Sequence, residues 1–175
     1  FAQILDRNIG GLETAGVDVQ LDWEFSAGPG KLGLNALLTY VDYWTYLDPS
    51  GFAIDYAGTV GGGGLGRSLP RWKSLLNLSY AFGELGLMAR WQHVDGTRDV
   101  EYRDFAVPAI DYVDVGASYA FEAGPLHGLH ASAGIENVLD QAPPIFPTWQ
   151  QANTDPSLYD VLGRRYYLRL AYAFP

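Results

Sequence analysis

The chain has 175 residues, 48% apolar, 14% aromatic and 18% charged, with no cysteine. Those proportions fit one ordinary domain or a piece of a larger one. They exclude a disordered chain, a disulfide scaffold, a thiol nucleophile and a Cys-built zinc site. The 20 acidic residues against 11 basic ones, net charge −9, repel a phosphate backbone, so no nucleic-acid partner is expected. Asp, Arg, Asn or Gly interrupts every apolar stretch before the roughly 20 residues of a membrane helix. Helical spanning is thereby excluded; spanning by strands is not. The sequence opens at Phe1 without a charged n-region or apolar h-region, so any targeting segment is expected to lie outside it.

From residue 14 to 25, Ala15, Val17, Val19, Leu21, Trp23 and Phe25 alternate with Thr14, Gly16, Asp18, Gln20, Asp22 and Glu24. Period 2 puts one set on each face of a strand, whereas a helix would wrap both sets around its surface. The same parity recurs in chain order: Leu32 to Tyr40, Leu76 to Phe82, Leu85 to Trp91, Val113 to Phe121, Leu129 to Ile135 and Tyr166 to Phe174. This predicts about seven long strands and no helix. Short Gly- or Pro-rich connections (26–30, 83–84, 122–128) alternate with long ones (44–71, 94–109, 138–162). That order predicts an up-and-down antiparallel sheet, with tight turns at one end and long loops at the other.

Four strands approaching the short-turn end finish alike, as Trp23-Glu24-Phe25, Tyr80-Ala81-Phe82, Tyr119-Ala120-Phe121 and Tyr172-Ala173-Phe174. Each places two aromatics on the apolar face, so the pairs form a belt along one rim, as amphipathic rings do at a membrane interface. Trp91 joins the outer belt by its parity. The alternative is a soluble carbohydrate-binding β-sandwich, which also has one apolar and one polar face per strand. Long strands, rim aromatics and strict alternation of connections favour an antiparallel up-and-down transmembrane β-barrel instead.

The run Gly134-Ile-Glu-Asn-Val-Leu-Asp-Gln-Ala-Pro-Pro-Ile-Phe146, then Tyr159-Asp-Val-Leu-Gly-Arg-Arg-Tyr-Tyr-Leu168 and the ending Ala171-Tyr-Ala-Phe174 resembles the C-terminal end of TonB-dependent outer-membrane receptors. Asn137-Val-Leu-Asp140 stands for that family's Asn-Leu-Phe-Asp tetrad, and Gly163-Arg-Arg-Tyr-Tyr167 for its approach to the last strand. The stretch Asn8-Ile-Gly-Gly-Leu-Glu-Thr-Ala-Gly-Val-Asp-Val-Gln20 is similar to an earlier strand start. The resemblance implies about the last seven strands of a barrel of roughly 22 strands. Its plug domain and earlier strands lie outside this sequence, and Pro175 after Phe174 departs from the family's terminal aromatic. It further implies an outer-membrane importer without enzymatic activity or cofactor, driven by TonB-ExbB-ExbD through the plug. Lipid and lipopolysaccharide would surround it, with long loops extracellular and short turns periplasmic. The ligand would be a ferric siderophore or an oligosaccharide.

Other motifs carry less. Gly61-Gly-Gly-Gly-Leu-Gly66 satisfies G-x-G-x-x-G, but Pro70 and the following strand deny the helix a phosphate cradle needs, which leaves a mobile glycine loop. His93, His127 and His130 form no metal-binding pattern, and no G-x-S-x-G supports an outer-membrane barrel hydrolase. Asp95, Asp99, Glu101 and Asp104 read as a solvated acidic loop rather than a cation site. The polar parity set, Asp18, Asp22, Asn77, Arg90, Gln92, Asp114, Glu136, Arg165 and Arg169, is expected to face the lumen, because a basic residue on the lipid face costs about 2 to 4 kcal/mol at midplane. Near the long-loop end, Gln92, Tyr112, Asp114, Arg165 and Tyr167 are candidate ligand contacts, or contacts to the plug. Loop aromatics Tyr46, Phe52, Tyr56, Tyr102, Phe105, Trp149 and Tyr159 would stack on a ligand ring or pack the loops together.

Overall fold

The computed structural model describes residues 10–48, 50–61, 68–102, 104–147 and 153–174. Among them there are eleven strands: β1 (Gly11–Ala27), β2 (Gly30–Leu47), β3 (Ala53–Asp55), β4 (Thr59–Val60), β5 (Trp72–Phe82), β6 (Leu85–Val94), β7 (Thr97–Asp99), β8 (Ala106–Val107), β9 (Ile110–Ala120), β10 (Leu129–Glu136) and β11 (Arg165–Tyr172). The described residues are all-β, and the single helical turn among them is the 3-10 segment Gly124–Leu126. The seven long strands follow one another in the sheet as β1-β2-β5-β6-β9-β10-β11, each antiparallel to the next. Neighbours in sequence are neighbours in space, as the alternating connections require. The described sheet is open, with β1 and β11 as its edges.

Two of the turns are two residues long, between the paired ends Ala27/Gly30 and Phe82/Leu85. Their first residues, Gly28 (φ 59°) and Gly83 (φ 52°), sit in the left-handed region that only glycine enters at no steric cost. β1 and β2 slip by one residue between Ala15 and Gly16, so Asp42 is the extra residue of a bulge. The Arg71 guanidinium donates to the Asp42 carbonyl, and the Val41 N–H donates to the Arg71 carbonyl (2.9 Å). The bulge is thus tied to the segment leading into β5.

The long connections were expected to be irregular, and here the structure differs. β3 pairs with the end of β2, while β4, β7 and β8 make a second sheet of three strands. β2 runs on past the predicted strand end to Leu47, and Ala53–Asp55 folds back on it as a hairpin. The loop 62–66 and Trp149 lie outside the described residues, as does Pro175.

The distribution of apolar surface is inverted relative to a water-soluble domain. On the face carrying Val17, Val19, Leu21 and Trp23, side chains are about half exposed, and on β11 Leu168 reaches 72%. The belt pairs Trp23/Phe25, Tyr119/Phe121 and Tyr172/Phe174 have ring centroids 4.7, 4.9 and 5.0 Å apart. The buried apolar residues lie elsewhere, where the loops meet the top of the opposite face: Val60, Val94, Val107, Ile110, Phe146 and Leu158, with Tyr112 and Tyr159 among them. Close packing in this chain belongs to its loops.

Candidate functional site on the inner sheet face

Register turns the polar parity set into rows across the sheet. One row runs Asp22, Asn35, Asn77, Arg90, Asp114 by direct pairing, and Glu136 opposite Arg165 continues it at the far side. Because side chains on one face of adjacent strands stand within reach of one another, the row closes into a chain of contacts. Asn35 Nδ2 donates to Asp22 Oδ1 (2.5 Å) and Asn77 Nδ2 to Asn35 Oδ1 (2.9 Å). Arg90 Nε donates to Asn77 Oδ1 (3.2 Å), and its Nη1 lies 3.6 Å from Asp114 Oδ2. Asp114 Oδ1 then accepts the Asn137 N–H (2.8 Å). At the other edge Arg165 Nε donates to Glu136 Oε2 and Nη1 to Asp160 Oδ1, both at 2.8 Å. The expected inward charges are therefore largely matched with one another.

The motif residues explain their own spacing. Asn137 (φ 51°) and Asp140 (φ 52°) turn the chain out of β10, both in the left-handed region that Asn and Asp tolerate. Asn137 is buried; its Oδ1 accepts the Gln141 N–H and its Nδ2 donates to the Gln141 carbonyl, both at 2.9 Å. Asp140 Oδ1 accepts the Arg164 N–H (3.0 Å), beside Gly163 (φ 72°). The tetrad is a clasp that seats the start of β11.

Below that row lies a strip of glycines. Gly116 pairs with Gly134, and Gly134 with Tyr167. A Cβ on Gly134 would come within 2.6 Å of the Tyr167 ring, and one on Gly116 within 2.7 Å of its Oη. The ring therefore lies flat across two neighbouring strands. A groove of about 630 Å³ opens on this floor, with Arg90, Asp114, Glu136 and Arg169 around it. A second hollow of about 400 Å³ continues toward the loops past Gln92 and Arg165, under the segment 156–162.

The other predicted contacts divide by burial. Tyr56, Tyr112 and Tyr159 are buried in the loop packing, Tyr56 edge-on to Trp44 (5.6 Å) and Tyr159 edge-on to Phe146 (6.5 Å). Of the two uses expected for Tyr56 and Tyr159, this is the packing one. Tyr46 is half-buried in β2 beside Ile54 of β3. Phe52, Tyr102 and Phe105 remain exposed on loop hairpins. Gln92 is half-buried beside Tyr112. Asp114, Arg165 and Tyr167 come together on the groove system with Gln92, and Tyr159 borders the second hollow, whereas Trp149 lies outside the described residues. Asp99 corrects the expectation of a solvated acidic loop: it is buried, and its Oδ1 accepts the N–H groups of Glu101 (2.9 Å) and Tyr102 (3.1 Å). No group of three or more His, Asp or Glu side chains placed to hold a metal occurs among the described residues.

Displaced proton affinities in the segment 155–162 belong to Tyr159 and Asp160. Burial pushes the Tyr159 phenol up to about 12, against the Thr97 hydroxyl and with the Tyr112 phenol and Asp155 carboxylate adding to the rise. Burial also raises the Asp160 carboxyl, but the Arg165 guanidinium, the Leu162 N–H and the Asn137 amide together outweigh it and hold Asp160 below the ordinary carboxylate value.

The sequence did not single out Asn35 or Asp160, and marked Asn137 only as the first residue of the tetrad. Parity assigns a face but not a register, and only register shows that Asn35 stands between Asp22 and Asn77. Compared with models of known families and with curated proteins, the chain matches none.

Proposed function

We propose that the chain is part of the barrel wall and extracellular loops of a TonB-dependent transporter, importing a ferric siderophore or an oligosaccharide across the bacterial outer membrane. The observation that carries this reading is the outer face: continuous apolar side chains left uncovered, bounded by aromatics at both ends. At the short-turn end stand the paired belt residues. At the other end Tyr40 and Trp72 contact each other at 4.4 Å, and Trp91 stands on the next strand. The stretch of β5 from Trp72 to Tyr80 is about 26 Å long at roughly 3.3 Å per residue. With a strand tilt of roughly 40° that gives a band of about 20 Å, near the ~25 Å apolar belt of outer-membrane barrels. In water, such a face would be a severe aggregation hazard. In a bilayer the matched charges and amides would belong on the lumen side, and they stand on the face opposite the apolar one.

The open edges support a larger barrel, since unpaired N–H and C=O groups cost several kcal/mol each in hydrocarbon. Further strands would pair with β1 and β11, and a plug would occupy the lumen and meet the TonB complex. TonB dependence itself rests on the C-terminal resemblance, to which the Asn137–Asp140 clasp gives a physical role.

The test uses the whole receptor. It should fractionate with outer membranes, need detergent, and show a heat-modifiable gel band. A cysteine at Ser50 should react with an impermeant reagent on intact cells, and one at Pro29 should not. Ligand uptake should stop when TonB is deleted. A protein that stays clear in buffer without detergent would overturn the proposal in favour of a soluble sandwich.

A further inference from the structure

We infer that residues 153–163 form a strap that lifts and closes as one body over the upper hollow of the inner face, while the rest of the loop cap stays packed. This goes beyond the transporter reading and does not rest on it. The first observation is how the strap is bounded. Asn153 (φ 56°) and Gly163 (φ 72°) both sit in the left-handed region. At each end the chain is fixed: the Asn153 carbonyl accepts the Phe146 N–H (2.8 Å), and Asp140 Oδ1 holds the Arg164 N–H (3.0 Å). A few residues of special backbone conformation between anchored ends are where a hinge absorbs its rotation.

The second observation is that the strap is bonded within itself. Asp155 Oδ1 accepts the Ser157 N–H (2.9 Å) and hydroxyl (2.7 Å), and the Asp155 carbonyl accepts the N–H groups of Leu158 (3.1 Å) and Tyr159 (3.0 Å). Those bonds travel with it. Its polar ties to the rest gather at two points. Ser68 Oγ donates to Asp155 Oδ2 (2.5 Å) on one side, and Tyr112, Arg165 and Asn137 meet Asp160 on the other.

The third observation lies beneath the strap. The Thr154 hydroxyl is buried without a partner among the described residues, and neither the Thr97 hydroxyl nor the Tyr159 phenol, both buried, reaches a partner there beyond the other. An unpaired buried hydroxyl costs free energy that water would return. Lifting the strap therefore hydrates these three groups while it uncovers Leu158 and Tyr159, and the opposing effects bring the open position within reach. Under it lies the hollow of about 400 Å³, with Gln92, Asp114 and Arg165 in its lining. Opening removes that roof and parts Asp160 from Arg165, so the strap gates the hollow from the loop side.

The chain has no cysteine, so single thiols report the motion. Leu158 points from the strap into the packed cluster, Val60 lies in the part of the cap that stays, and Leu162 is 72% exposed. In the whole protein, maleimide labelling should be immediate at Leu162→Cys, slow at Leu158→Cys and slowest at Val60→Cys. Adding Ser68→Ala should speed labelling of Leu158→Cys about tenfold, the size of one hydrogen bond to a carboxylate, and leave Val60→Cys unchanged. Equal rates at positions 158 and 60 would mean that the cap opens only as a whole. A rate at position 158 that Ser68→Ala does not move would mean that nothing is latched there, and either result overturns the strap. Since a buried cysteine can itself loosen packing, amide exchange in the unsubstituted protein is the second measurement. Residues 154–162 should exchange ahead of residues 56–60 and 105–110, and simultaneous exchange of all three overturns the strap as well. Loss of TonB-dependent uptake would remove the transporter reading and leave these rates unchanged.

Discussion

The Tyr112 phenol oxygen accepts the backbone N–H of Asp160 at 3.1 Å, joining residues 48 apart in sequence. Tyr112 stands on β9 at the top of the inner face, and Asp160 carries the carboxylate that Arg165 holds. One hydroxyl thereby fixes the height of the segment that leads into β11.

Removing that hydroxyl by Tyr112→Phe leaves the part-buried Asp160 N–H without its partner, at a cost of about 1 kcal/mol. The expected result is a lower thermal midpoint for the loops and faster amide exchange at Asp160, with the sheet retained. Hydrogen exchange read by mass spectrometry over residues 155–165 checks it.

Arg165→Lys keeps the charge but cannot span two carboxylates in one plane. Its partners are partly exposed, so the loss should be small compared with that for a buried pair. Protease nicking between residues 156 and 164 should become faster, and an unchanged cleavage rate would show that the clasp does not hold the segment.

Alkaline pH should loosen the loop packing through Tyr159. Its folded-state pKa of about 12 lies above the ordinary phenol value of about 10, so the unfolded chain ionises first. The stability contributed by the neutral, buried phenol is complete below about pH 10. It is lost as pH rises toward 12. Absorbance titration of phenolate should show Tyr112 and Tyr159 ionising late, both raised by burial, and the Tyr159 component should disappear in Tyr159→Phe. In acid the sign reverses for Asp160: its carboxyl is held below the ordinary value, so its contribution is present above that value and fades as pH falls through the folded pKa.

The two faces should respond oppositely to charge. Leu168→Arg places a guanidinium on the outer face, where about 2 to 4 kcal/mol is expected at midplane, and the yield of heat-modifiable receptor should fall. Ser132→Arg, on the inner face, should be tolerated. Equal losses for both would argue that both faces meet the same surroundings.

Much of this architecture is legible in the chain itself. Val17, Val19, Leu21 and Trp23 alternate without a miss, and the short and long connections give the strand order. The extra residue at Asp42 was not readable, because a bulge needs both strands in register and the pattern of either one alone looks regular. Nor was the second sheet: β4 and β8 are two residues long each, too short for periodicity to register. Within the groove, Asp114, Arg165 and Tyr167 follow from parity and height. The row that joins Arg90 to Asn77 and Asn35 depends on pairings between strands 13 and 42 residues apart. Tyr159 misleads a reader of sequence for another reason, since an aromatic in a long loop looks exposed until Phe146 and Leu158 close over it.

If the exposed apolar face meets lipid, as proposed above, the location of the buried cluster means that two different media hold this protein together. The strands keep their place through what surrounds them, whereas Val60, Val107, Phe146 and Leu158 exclude water by themselves. Exchanging one detergent for a harsher one should therefore unfasten the wall while the cap keeps its fold, and a denaturant that attacks apolar packing in water should undo the cap first. Unfolding followed at Trp23 and at Trp44 would then give two separate transitions whose order depends on the agent chosen.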